Sequence, residues 1–237
     1  MRQPFSVSRF GLLGLITAVT LTVMATSAPA VIFEPPEDQA PDSTLGGGSR
    51  DLQQCVSAPQ DGIPSVTPLL PETEIGFTVA QKPTIYVYVP QTLAKKMFFS
   101  LQTETGEHHY QQEMELPETP GIIGFQVPED APPLKENTNY KWTIAFICGE
   151  SLEPDSPEYT GWIRRLPQEE YSIATDLSLK QVEDLAEAKL WYDTVFSLVQ
   201  LKNQEPDNPV LSQNWTELLT SVGLEAIANQ PILTGQP

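Results

Sequence analysis

The chain has 237 residues, with 13 Lys and Arg against 31 Asp and Glu and a formal net charge of −18 at pH 7. So acidic a surface repels phosphate backbones and anionic lipid, which argues against nucleic-acid or membrane-surface partners and leaves cations and basic proteins open.

Residues 1–30 read as a secretory signal peptide. Arg2 and Arg9 form the basic start, residues 10–25 an apolar run, and Ala28-Pro29-Ala30 an A-x-A cleavage site. The mature chain then begins near Val31, in the periplasm or outside the cell. An uncleaved anchor is the alternative, but about 16 apolar residues fall short of the ~20 that a spanning helix needs. Small residues also follow the run where stop-transfer positions would be basic. No Cys stands near the cleavage site to take a lipid, and no later segment is apolar enough to cross a membrane. Removing Arg2 and Arg9 leaves 11 basic against 31 acidic residues, a balance of −20.

Residues 31–74 are crowded with Pro, Gly, Ser and acids, and they show neither helical nor strand period. Such composition predicts a flexible leader. Its GGGSR run (46–50) has no strand before it and no Lys after it, so it lacks what a phosphate loop requires. Cys55 and Cys148, an even pair in an oxidising compartment, predict one disulfide. Two buried thiols or an intermolecular bridge are the alternatives.

From Ile75 the pattern becomes short alternating runs: IGFTVA, TIYVYVP, KMFFSLQT, EHHYQQEM, GIIGFQVP, NYKWTIAFIC and YTGWIRRL. Gly- and Pro-rich turns separate them. This spacing predicts an antiparallel β-sandwich of immunoglobulin or fibronectin type III kind over residues 75–167. Leu134, Thr138 and Tyr140 have an L-x-x-x-T-x-Y spacing that resembles the tyrosine corner of fibronectin type III modules, with Glu136 where the usual Pro stands.

These runs do not spell out a catalytic set. The adjacent His108 and His109 point to opposite faces of a strand, so they cannot easily share a metal. Neither has a recognisable nucleophile to activate, since G-x-S-x-G is absent and both cysteines are expected to be oxidised. Glu150, Glu153, Asp155 and Glu158 crowd one turn, but Pro154 and Pro157 stiffen it and the oxygen spacing of a calcium loop is missing. Of the adjacent Arg164 and Arg165, one is expected to stack on Trp162 or a neighbouring aromatic, whereas an inward one requires a carboxylate partner.

After Pro167 the apolar period lengthens to nearly four, which predicts a helical region over residues 168–232 packed on the sandwich as a hairpin. The first helix runs from residue 177 or 178 to about 202, with Asp176 or Ser178 as N-cap and a possible break near Lys189. The second spans residues 210–222 and ends at Gly223. The piece WYDTVFSLVQLKNQEPDN resembles the second helix of a tetratricopeptide unit, without a second copy. Asn214 opens an N-x-T sequon inside the second helix.

Together, GGGSR with Cys55, GFTVAQKPTIYVYVP, LPETPGIIGFQVP, YKWTIAFIC, GWIRR, WYD and WTELLTSVGLEAIANQP resemble the cyanobacterial family called domain of unknown function 928. The resemblance covers about residues 45–232, and Asp51 departs from the family's usual Gly. It implies an exported cyanobacterial protein of this layout, in gene neighbourhoods suggestive of envelope signalling or secretion. It transfers no site residues, because the family has no established activity.

The expected class is therefore α+β, an antiparallel immunoglobulin/fibronectin-III-like β-sandwich followed by a C-terminal helical hairpin. The expected function is a non-catalytic protein-interaction or accessory module of the cell envelope or secretion. Its partner is an envelope or secreted protein, and no cofactor, metal or catalytic residue is assigned. A carboxylate-based hydrolase of an envelope glycan is one alternative and needs two close acids in a cleft. A purely structural domain of a secreted assembly is another.

Overall fold

The change from a two-residue to a near-four-residue apolar period divides the protein into strands and helices where the sequence predicts. The computed structural model describes residues 30–41, 55–56, 64–171 and 176–233. The signal peptide over 1–29, the GGGSR run and Asp51 lie outside the described residues.

The strands are β1 (Thr67–Pro68), β2 (Ile75–Thr78), β3 (Thr84–Val89), β4 (Lys96–Thr103), β5 (His108–Glu115), β6 (Gly121–Gln126), β7 (Asn139–Ile147) and β8 (Glu158–Arg165). They form a three-stranded sheet in the order β1-β3-β6 and a five-stranded sheet in the order β2-β8-β7-β4-β5. Pairing is antiparallel except for β2 beside β8, where Ile75 lies opposite Trp162. β7 is central, and Tyr140, Trp142, Ile144 and Phe146 are fully buried on one of its faces. Every residue of β3 is buried, so this strand is covered on both sides. At the edge, β5 carries mostly exposed polar residues, which blunt a strand edge against unwanted pairing.

The helices are α1 (Leu179–Glu187), α2 (Trp191–Gln204) and α3 (Pro209–Ser221), three where a hairpin was expected. Lys189 adopts φ 62°, a left-handed conformation that ends α1 and re-aims the chain into α2. Ser178 is the N-cap of α1, its hydroxyl accepting from the Gln181 N–H at 3.2 Å. Asn208 caps α3 ahead of Pro209, and Gly223 ends it at φ 78°.

A disulfide joins Cys55 to Cys148 with Cα atoms 5.5 Å apart, closing 93 residues. Beside it Val56 bridges Thr92, and the Leu93 N–H donates to the Cys55 carbonyl at 2.8 Å. Within the stretch expected to be a flexible leader, Val31, Phe33, Cys55, Val56, Val66, Leu69 and Leu70 are buried, and β1 lies inside it. They fall in runs of one to three apolar residues, too short to show a period.

Candidate functional site: a groove along α2

The first turn of α2 is driven into the body by two aromatics. The Trp191 Nε1–H donates to the Leu69 carbonyl at 2.7 Å. The Tyr192 hydroxyl donates to the Trp162 carbonyl at 3.0 Å and accepts from the Trp142 Nε1–H at 2.8 Å, all inside the core. Burial pushes the Tyr192 phenol well above its ordinary pKa, so it stays a neutral donor. Glycines make room for this arrangement. A Cβ on Gly76 would lie 2.7 Å from the Tyr192 ring, and one on Gly161 would lie 2.2 Å from Leu70 and 2.4 Å from Trp142.

Asp193 follows and is partly buried, with its carboxylate accepting from the Val79 N–H at 3.2 Å. Burial raises its pKa from 3.8 to about 6, against the opposing hydrogen bonds from Thr78 and the Val79, Asp193 and Ala80 backbone. It ties the start of α2 to the link between β2 and β3.

With that end of α2 anchored, a groove runs beside the helix. Its middle, about 340 Å³, is lined by Phe196, Val199, Gln200 and Asn203 of α2, by Thr84 and Tyr86 of β3, by Gly124 and Gln126 of β6, and by Gln112 and Met114 of β5. Ile232 and Leu233 complete it. At the N-terminal end of α2, a cavity of about 140 Å³ shares Thr84, Gln126 and Phe196 and adds Lys82 and Asp193. At the other end, a cavity of about 350 Å³ between α2, α3 and residues 228–232 shares Asn203 and Ile232. Asp193 is the one acid lining these three cavities, which therefore hold no carboxylate pair. Phe196 remains 38% exposed, a large apolar side chain facing the groove.

Backbone chemistry borders the same groove. The Leu69 N–H donates to the Tyr86 carbonyl, so in the antiparallel ladder the Tyr86 peptide groups face β1 and those of its partner Gly124 face away from β3. Two residues earlier on the same edge, the Ile122 N–H donates to Pro231 and the Ile122 carbonyl accepts from Leu233, in a parallel bridge with Ile232. Among the described residues this pairing extends as far as Leu233.

The residues singled out in the sequence are dispersed. His108 is exposed, while the His109 Nε2 lies 2.9 Å from the Pro132 carbonyl and its ring meets Tyr140 edge-on at 4.8 Å. The acids of the 150–158 turn are exposed. Among the described residues no group of three or more His, Cys, Asp and Glu could hold a metal. Arg164 lies over the Phe77 ring at 5.4 Å and pairs with Asp38 at 3.1 Å. Arg165 is buried, donates to the Leu134 carbonyl at 2.9 Å and pairs with Glu136 at 3.0 Å. Glu136, in the position of the usual Pro of the corner motif, thus supplies the carboxylate that an inward Arg requires. The sequon residue Asn214 is buried with both amide atoms engaged. Asp193, Phe196 and Gly124 went unremarked in the sequence, because each becomes notable only through what the fold puts beside it.

Two mostly antiparallel sheets with three C-terminal helices define an α+β protein whose concave surface runs between a helix and a sheet edge. The chain belongs to the family described as Domain of Unknown Function (DUF928), whose model matches residues 45–232. No curated protein matches it.

Proposed function

We propose that the chain is a non-catalytic interaction module of the cell envelope or of secretion, and that the groove along α2 receives an extended segment of an envelope or secreted protein. The observation that carries the proposal is the combination of an apolar wall, formed by Phe196, Val199 and Tyr86, with Gly124 peptide groups turned away from β3. A strand edge supplies the backbone bonds that hold an extended peptide, and the neighbouring pockets select side chains. The disulfide, and the absence of any helix among the described residues long and apolar enough to cross a membrane, are compatible with an exported protein. We also infer that the two sheets form an immunoglobulin/fibronectin-III-like sandwich. The Lys135 N–H donating to the Tyr140 hydroxyl at 3.1 Å supports this, as the bond a tyrosine corner makes to upstream backbone.

The test is a photo-crosslinking residue placed at Phe196 or Gln200 in the native host, with Thr105 on the β4–β5 turn as control. A discrete adduct to one envelope or secreted protein from the groove positions, absent from Thr105, is the expected outcome. Equal or no adducts from the two sites would overturn the proposal.

A further inference from the structure

The chain passes from exposed to buried at one bond. Ala30 is exposed, Val31 is 1% exposed, Ile32 61% and Phe33 1%. The Val31 N–H donates to the Asn214 Oδ1 at 2.8 Å and the Phe33 N–H to the Ser221 Oγ at 3.1 Å, with both acceptors on α3, about two helical turns apart. The Phe33 ring meets Trp191 edge-on at 4.8 Å. Further along, Asp38 pairs with Arg164 at 3.1 Å and the Ala40 N–H donates to the Thr73 carbonyl at 3.3 Å. Residues 31–40 are therefore a strap fastened at both ends, and its first fastening point is the residue directly after Ala28-Pro29-Ala30.

Asn214 is an unusual residue to bury in a helix at 1% exposure. Its Nδ2 donates to the Val210 carbonyl at 2.9 Å, which leaves Oδ1 for one donor from outside the helix. That donor is the Val31 nitrogen. An unfilled Oδ1 at this depth would carry the full penalty of an unpaired buried acceptor, so the site is built around the strap.

We propose that the Ala30–Val31 bond is the site at which a leader peptidase processes this chain, and that Asn214 is the receptor for the amino terminus so created. The inference rests on the export reading above. In the step, water adds across the peptide bond and the Ala30 C–N bond breaks. Ala30 leaves with the leader as a carboxylate, and the Val31 nitrogen takes both hydrogens of the water and becomes an ammonium group. As an amide that nitrogen has one hydrogen for Oδ1, and as an ammonium group it keeps one there. Its further hydrogens point where Ala30 was, toward solvent, so the strap need not move. Because seating buries Val31, cleavage precedes seating.

The test is to express the full chain in an exporting bacterial host, identify the first residue by intact mass and terminal sequencing, and challenge the folded product with an aminopeptidase. Val31 is expected first and resists trimming. Asn214→Leu and Phe33→Ala are expected to be trimmed about tenfold faster or more, since both raise the population of the opened strap. Asn214→Asp, which keeps the acceptor, is expected to resist. If Asn214→Leu does not fold, Phe33→Ala alone decides the seating. An exported protein that keeps its leader, starts at another residue, or loses Val31 as fast folded as in urea overturns this inference alone. Retention of the unprocessed chain in the cytoplasm overturns the export reading together with it.

Discussion

Tyr192→Phe removes one oxygen and orphans one buried donor. The Trp142 Nε1–H loses its acceptor at 2.8 Å in a region closed to water, while the Trp162 carbonyl loses one of its donors and keeps its place in the parallel ladder with β2. Leaving a buried polar group unpaired costs about 1–3 kcal/mol, which is the expected loss. For a chain of this size each kcal/mol lowers Tm by about 2–4 °C, which puts the expected drop at roughly 2–12 °C. Urea unfolding should show a lower midpoint with an unchanged slope, because the same surface is exposed on unfolding. A double-mutant cycle with Trp142→Phe isolates the side-chain bond, with an expected coupling of about 1 kcal/mol or more. A loss below about 0.5 kcal/mol for Tyr192→Phe, the range of ordinary surface changes, would refute the claim that this hydroxyl anchors α2 to the sheet.

Other substitutions probe the remaining supports. The folded pKa of Asp193 is raised from 3.8 to about 6, so its contribution to stability is fully present below pH 3.8 and is lost as pH rises through about 6. Asp193→Asn should therefore match the parent near pH 4 and exceed it by up to about 3 kcal/mol at pH 7.5 in urea titrations; a pH-independent difference would contradict this. Replacing Cys55 and Cys148 together with Ser opens the 93-residue loop and should cost about 4–5 kcal/mol, read as a lower unfolding midpoint that reductant no longer changes. Gly161→Ala places a methyl group 2.2 Å from Leu70 and 2.4 Å from Trp142, so overpacking should lower stability by about 1–3 kcal/mol or more by thermal melting.

How much of this was legible beforehand differs by element. β2 to β8 fall on the alternating runs, because alternation records which face of a strand meets the core and is written locally. The possible break near Lys189 is a real one, where a left-handed residue separates two helices. A cavity lies between α2 and α3, but the middle of the groove is walled by β3, β5 and β6, which no helical period can announce.

By itself the sequence determined the order of strands and helices, the pairing available to two cysteines and the family, because each is written in spacing along the chain. Only the tertiary structure decided that Val31 and Phe33 are core residues, that Arg165 meets Glu136, and that Phe196 and Gly124 share a groove. Asn214 shows why most plainly. Its value depends on a backbone nitrogen 183 residues away, and nothing in local composition can report a partner at that separation.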